Sequence, residues 1–314
     1  MDGEENMYSM ILTDYCSIPK TIDLIETFSQ KIEGIVHYII VDNSDCHEGK
    51  NFLDQKKILY KKNFFLSKET YTFVWKDNEI VLIDANENGG YAKGNNIGAS
   101  YSAATYEDSF YIFSNNDLEF PDKIDLKALG QLVNSNAKIG IIGVNIITKD
   151  GERQNPRLDR GFCSQVLLWD FNVLWFHCKL NKILWNLDSN NIEGETGWVS
   201  GSFLFINKEA FDIVNGFDEK TFLYCEEMII SERMRKKGYV TYYYPDISIV
   251  HLHQGSQTRK SRYIQHKSKK YFYHKYKNVP YFLCVLSDVT YFISEIGYYL
   301  WHDCLKKIVS RKKG

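Results

Sequence analysis

The sequence predicts an α/β protein: an open, mostly parallel sheet with helices flanking it. Three observations predict it. Short apolar, β-rich runs alternate with polar or helical stretches through the first 150 residues, the pattern of strand–helix–strand units. The runs at 8–13, 36–42, 80–84 and 110–114 read as buried strands of a sheet covered on both faces. Polar residues gather where these runs end: Asp14, Asp42-Asn43-Ser44-Asp45, Asn86 and Asn115-Asn116-Asp117. Open α/β sheets bind ligands beyond the carboxyl ends of their strands, so these residues stand where the fold would put a site.

The remaining elements follow in chain order. Helices are predicted over 20–30, 95–106 and 122–133. The segment 159–195 holds three of the six tryptophans and reads as a helix pair packed on the core, with a lid or membrane-facing patch as the alternative. Residues 198–206 read as a strand and 208–214 as a short helix. A helix over 225–237 ends at Gly238, a good C-terminal cap. Two short strands, 239–244 and 247–251, follow. From Phe282 onward apolar residues recur at three/four spacing, an amphipathic helix ending in Lys306-Lys307 and Arg311-Lys312-Lys313.

Composition bounds the function. The 314 residues are 44% hydrophobic and 25% charged, which excludes a disordered chain. The net charge of −2 hides a division: residues 1–258 carry −12 and residues 259–314 carry +10. No run reaches the ~18 apolar residues of a membrane span, and the acidic start MDGEENMYS lacks a signal-peptide core. The seven scattered cysteines, without a CxxC, argue against a disulfide framework and a zinc site. The expected setting is reducing and cytoplasmic.

Five segments carry candidate chemistry. Val41-Asp42-Asn43-Ser44-Asp45 closes a strand with carboxylates able to hold ribose hydroxyls or a base edge, or to form Asx turns. Residues 86–99, NENGGYAKGNNIGA, put glycines and Lys93 before a helix, where a diphosphate can approach closely, or where a tight structural loop sits. Ser114-Asn115-Asn116-Asp117 offers oxygen ligands suited to Mg²⁺ or Mn²⁺, or a polar turn. Glu226-Glu227 at a helix start are either capping acids or a general base. His251-Leu252-His253 ends a strand, where one imidazole can complete a metal shell.

In combination, VDNSD, NENGGYAKGNNIGA, SNND, GWVSGSFLFINKEAFDIVNGFDEKTFLYCEE and HLHQGS resemble family 2 glycosyltransferases. Within them the chain is similar to the bacterial rhamnosyltransferase-like branch of surface-polysaccharide biosynthesis, over roughly residues 8–256. The resemblance implies a GT-A, Rossmann-like fold over 1–258, with a nucleotide-binding half to about 150, an acceptor half over about 151–258, and a basic, amphipathic helical extension over 259–314. It implies a nucleotide-diphosphosugar donor (UDP- or dTDP-linked), a divalent metal, Mg or Mn, and inversion at the anomeric carbon. Thr13, Asp14, Asp42 and Asp45 then fall where the nucleoside is held, with Asn86, Lys93, Gly94, Asn95 and Asn115 completing the donor side. Trp198 and Gly201 fall on the acceptor side, Asp117 with His251 or His253 at the metal, and Glu227, with Glu226 as the alternative, at the base.

Two departures from the family pattern stand out. Asn115 replaces the first acid of the DxD-like motif, and Glu226-Glu227 replace a Glu-Asp pair. They keep open a catalytically impaired nucleotide-sugar-binding scaffold. A sugar nucleotidyltransferase is disfavoured, because Thr13-Asp14-Tyr15-Cys16-Ser17 stands where a Gly-rich basic loop would be. The expected acceptor is a lipid-linked saccharide of capsule, O-antigen or exopolysaccharide synthesis. The basic extension predicts an anionic membrane surface as partner, with peripheral attachment at the inner face of the cell membrane. No nucleic-acid motif accompanies it, and packing on the domain or in a homodimer is the alternative.

Overall fold

A computed structural model of the chain describes residues 7–159, 161–167, 191–252 and 258–299. They divide into two compact units: one from Met1–Arg157 with Asp188–Ser256, the other from Leu158–Leu187 with Gln257–Gly314.

The first unit is an α/β body on an 11-stranded sheet. Its centre is four parallel strands: β1 (Tyr8–Asp14), β2 (Val36–Asp42), β5 (Asn78–Asp84) and β6 (Phe110–Ser114). They lie in the order β5-β2-β1-β6. The chain thus builds outward from β1 to β2 and β5, then crosses to the other side for β6, which makes β1/β6 the switch point of the sheet. Between these strands run α1 (Ile18–Ser29), α2 (Glu48–Lys56) and α3 (Gly90–Thr105). In α1 the buried Ile18, Ile22, Ile25 and Phe28 recur at helical spacing, and Pro19 sits in the first turn, where its missing N–H costs no bond. Apolar side chains cover both faces of the sheet, with Leu12, Ile40 and Phe203 on one side and Ile11, Val41 and Phe113 on the other.

Outside the parallel centre the sheet is antiparallel or mixed, which the predicted mostly parallel sheet did not include. The hairpin of β3 (Tyr60–Phe65) and β4 (Lys68–Trp75) turns through Leu66 and Ser67, at φ +47° and +64°. A two-residue turn permits only antiparallel pairing. Across the sheet, β7 (Leu118–Glu119), α4 (Leu126–Ser135), β8 (Ile139–Thr148), β9 (Gly194–Thr196), β10 (Phe203–Asn207), α5 (Lys208–Ile213), α6 (Glu226–Arg235) and β11 (Val240–His251) complete the unit. Here β10 runs antiparallel to both β6 and β8, and β11 runs parallel to β8.

Several predicted ranges change. The strand predicted over 198–206 is confined to β10, because Trp198 exchanges backbone bonds with Arg157 (3.1 and 3.2 Å) instead of with β6. The strands predicted at 239–244 and 247–251 are one strand, whose pairing slips between Tyr244 and Ser248. Pro245 lies in that slip and has no N–H for a ladder. The helix predicted over 95–106 begins five residues earlier, at Gly90, and the one predicted over 122–133 becomes α4. Much of the aromatic segment 159–195, with Cys178 and Cys304, lies outside the described residues; the five described cysteines are free.

The second unit contains a π-turn at Cys163–Leu167, α7 (Arg259–Tyr276) and α8 (Tyr281–Tyr299). The Thr258 side chain caps α7 by accepting from Ser261 N (3.1 Å). Within the unit, Lys277 reaches Asp159 (2.6 Å) and Phe162 packs edge-on against Tyr273.

Candidate active site

Three aspartates stand in register at the carboxyl ends of adjacent strands: Asp14 opposite Asp42, and Asp42 opposite Asp84. A row of like charges needs local donors, and each aspartate has them. Asp14 accepts from Ser17 N (2.9 Å), Ser17 Oγ (3.0 Å), Thr21 Oγ1 and Asn116 Nδ2 (3.0 Å). Asp42 accepts from Ser44 N (2.9 Å) and Gly49 N (2.7 Å); burial nevertheless holds its carboxyl above the ordinary carboxylate range. Asp84 accepts from Asn86 N (2.9 Å), and His47 Nδ1 lies 2.5 Å from it. Asp45 accepts from Asn88 N (3.1 Å), which ties the β2 end to the 86–89 turn.

The glycine-rich motif is mostly packing. A Cβ at Gly90 would strike the carbonyl of Phe222, and one at Gly94 would strike the Thr13 side chain. At Gly98 the obstacle is Ile11. Gly94 and Gly98, one helical turn apart, seat α3 directly on β1, while Gly90 seats its first turn on Phe222. Asn95 is fully buried, and Thr13 Oγ1 lies 3.0 Å from its Oδ1. Lys93 is different: it is partly exposed and paired with Glu87 (2.5 Å), whose carboxylate raises the lysine pKa.

The DxD-like segment splits its three residues among three tasks. Asn115 N–H donates to Ser202 O (2.9 Å) and fixes the backbone to the segment entering β10. Asn116 Nδ2 donates to Asp14, Ser17 Oγ (2.8 Å) and Thr21 Oγ1 (2.8 Å), spanning the β1/β6 switch point. Asp117 Oδ1 lies 3.2 Å from His251 Nε2. The pairing of β7 with β11, which sets Leu118 opposite His251, brings these distant segments together, and Leu252 N–H donates to Asp117 O (2.8 Å). His253 lies outside the described residues.

The Asp117–His251 pair fits a divalent cation. His251 Nδ1 is 3.1 Å from Gln154 Oε1, and donation of Nδ1–H to that oxygen turns the Nε2 lone pair toward the carboxylate. At this distance either a proton on Nε2 or a metal ion held by both atoms joins the pair. Ligands at ~2.1 Å in adjacent octahedral positions stand about 3 Å apart, close to the 3.2 Å found. Among the described residues no group of three or more His, Cys, Asp or Glu forms a complete cage. Two protein donors with waters and substrate phosphates are the usual shell of such an ion.

The second carboxylate centre opens α6. Tyr224 and Cys225 both have positive φ (+72° and +71°) and turn the chain sharply into Glu226 and Glu227. Glu226 is buried, and burial first, then the adjacent Glu227, push its carboxyl up to about 8. Glu227 is half-buried and lies over Gly201: an added Cβ there would meet its Oε2 at 3.5 Å. Arg157, missed in the sequence, faces Glu227. Burial pulls its pKa down to about 10 against the pull of Glu227, and its guanidinium stands 5.6 Å over the Trp198 ring. Tyr91, also missed, donates to Gly201 O (2.8 Å), while its N–H donates to Phe222 O (3.2 Å). Gly201 thus lies against Glu227, and Trp198 stands against Arg157. A lone arginine in a polar loop has no periodicity to betray it; Tyr91 at least stood inside the quoted motif.

No family model matches the chain. Over 174 residues it is 30% identical to N-acetylglucosaminyl-diphospho-decaprenol L-rhamnosyltransferase of Mycobacterium tuberculosis, covering 52% of this chain and 54% of the relative. The chain thus spans about half the length of these mycobacterial relatives. Rhamnosyltransferase WbbL of Escherichia coli K12 is 24% identical over 254 residues, 76% of this chain and 87% of WbbL. In fold the chain is similar to GalNAc-T7 with UDP, GalNAc and Mn²⁺ (TM-score 0.56, 13% identity, 97% and 59% of the two chains). It is likewise similar to residues 1–349 of TarS from S. aureus (TM-score 0.51, 10% identity, 94% and 73%). The chain is thus similar in sequence to rhamnosyltransferases and shares the α/β fold of these solved glycosyltransferase structures.

Proposed function

We propose that the protein is an inverting glycosyltransferase of bacterial surface-polysaccharide synthesis. It moves a sugar from a UDP- or dTDP-linked donor to a hydroxyl of a lipid-linked saccharide. The observation that carries this reading is the meeting of Asp117 and His251 at 3.2 Å beside the switch point of the sheet. The decaprenol-linked sugar in the mycobacterial relative's name supports a lipid-linked acceptor.

Asp117 and His251 would hold Mg²⁺ or Mn²⁺, which when bound offsets negative charge on the leaving nucleoside diphosphate. The ends of β1, β2 and β5 hold the nucleoside, through Thr13, Asp14, Asp42, Asp45 and Asn86. Lys93, Gly94, Asn95 and Asn115 complete the donor side. Glu227 takes the proton from the acceptor hydroxyl as its oxygen attacks the anomeric carbon. The bond from that carbon to the diphosphate breaks on the opposite face, so the configuration inverts. Glu226, protonated near neutrality, leaves the negative charge to Glu227, and Trp198 and Gly201 wall the acceptor side. Residues 1–258 supply this catalytic domain, and 259–314 attach it peripherally to the inner face of an anionic membrane.

The test is a screen of UDP- and dTDP-sugars with a lipid-linked acceptor, with and without Mg²⁺ or Mn²⁺. Glu227→Gln should lower transfer by about 10²–10⁴-fold while donor binding persists. Full activity in that variant would remove Glu227 as base. Asn115 and Glu227, the two departures from the family pattern, favour a second reading as a binding scaffold; metal-dependent donor binding without any turnover would select it.

A further inference from the structure

Helix α8 is inside-out. Its buried face is small and polar: Cys284, Ser287, Thr290, Ser294 and Glu295. Its exposed face is large and apolar, with Phe282 (69% exposed), Val285, Val289, Phe292 (65%), Ile293 and Ile296 recurring at three/four spacing. A helix of a water-soluble body has the opposite arrangement. Both acids of α8 turn toward α7. Glu295 takes Arg262 (2.6 Å) and Arg259 (3.4 Å), and Asp288 takes Lys270 (2.7 Å) and His266 (3.0 Å). The seam between the two helices is therefore polar and ion-paired, and the outer face of α8 is apolar.

The same ion pairs divide the cations of α7. Arg259, Arg262 and Lys270 are engaged by α8, and Lys277 by Asp159. Lys260, Lys267 and Lys275 are exposed, and beyond α8 the sequence continues with Lys306, Lys307, Arg311, Lys312 and Lys313. An apolar stripe with a basic border, on a helix whose described residues are not apolar enough to cross a bilayer, complements an anionic lipid–water interface. A second copy of the chain would bring its own basic border against this one.

We propose that the exposed face of α8 inserts into the interfacial layer of an anionic membrane, lying in its plane, with the lysines of α7 at the headgroups. This rests on the peripheral attachment read from the charge of residues 259–314. It changes the dominant contact from charge to apolar insertion.

The experiment is co-sedimentation of the full chain with phosphatidylglycerol/phosphatidylethanolamine vesicles, without nucleotide sugar. Glycosyl transfer is scored separately, so failure of one reading is told from failure of the other. The wild-type chain should sediment with the vesicles and retain a measurable bound fraction at about 1 M salt, where surface charge is screened. Val289→Asp with Phe292→Asp should lower the partition by roughly tenfold or more, with an unchanged circular dichroism spectrum. Lys260→Gln, Lys267→Gln and Lys275→Gln together should weaken binding only at low salt. For the wild-type chain, amide exchange over 281–299 should slow when vesicles are added. Unchanged sedimentation of the Val289/Phe292 variant overturns the proposal, as does complete release of the wild type by salt. So does a wild-type chain that ignores vesicles and forms a dimer which the same double variant dissociates.

Discussion

Glu226 and Glu227 are neighbours in the chain with opposite surroundings. Glu226 is sealed beneath the start of α6, and Glu227 looks out over Gly201 toward Arg157. The sign of the pH effect follows. Glu226 titrates at about 8 in the folded protein and near ~4.3 when unfolded, so between these values the folded state binds more protons. Its protonated form supports the fold below pH ~4.3, and that support fades as pH rises through 8. Glu226→Gln should therefore flatten the loss of stability between pH 5 and 9, by an amount of order a few kcal/mol. Denaturation midpoints of both proteins across that range measure it; parallel curves would disprove the buried, protonated state. In the sequence the two acids were legible as a pair at a helix start. Which of them is buried depends on the left-handed turn at Tyr224-Cys225, which their spacing does not encode.

At the scale of the element, α3 shows how one pattern supports two readings. Its glycines were read as a cradle for a diphosphate or as a tight loop, and the packing favours close approach of backbone to β1 and to Phe222. Gly94→Ala should destabilise the protein by about 1–3 kcal/mol, the usual cost of overpacking, as read from urea unfolding. A variant as stable as wild type would mean that Thr13 yields freely. The central strands were legible because their apolar runs are short and unbroken. The β3–β4 hairpin was not: Lys61, Lys62 and Asn63 face water, and its outer strand has no buried residue to mark it. Helix α2 escaped for the same reason, burying only Gly49 and Leu53.

At the scale of the whole chain, the proposed donor site joins segments that the sequence holds far apart. Asp117 follows β6, while His251 ends β11, and the short strand β7 unites them by pairing with β11. The order of motifs could be read in the sequence, but that partnership depends on the antiparallel additions to the sheet. Binding that needs both ends should stabilise the folded state as a unit. A nucleotide donor with Mn²⁺ at ~100 times its Kd should add about 2.7 kcal/mol, seen as a rise in melting temperature. His251→Ala should lose most of the Mn²⁺-dependent part of that rise. An equal rise in the variant would place the cation elsewhere.

The bond between Asn116 and Asp14 has a consequence for anyone redesigning the SNND segment. Its two asparagines are not equivalent in what they tolerate. At position 115 the side chain is only half-buried and the backbone makes the tether, so a carboxylate can be introduced there to recover the more acidic motif. At position 116 the amide is the donor that Asp14 accepts. An aspartate in its place would set two carboxylates 3.0 Å apart and withdraw a donor from Ser17 and Thr21 as well. The middle letter of the motif, written as free in the usual shorthand, is here the one position that must remain an amide.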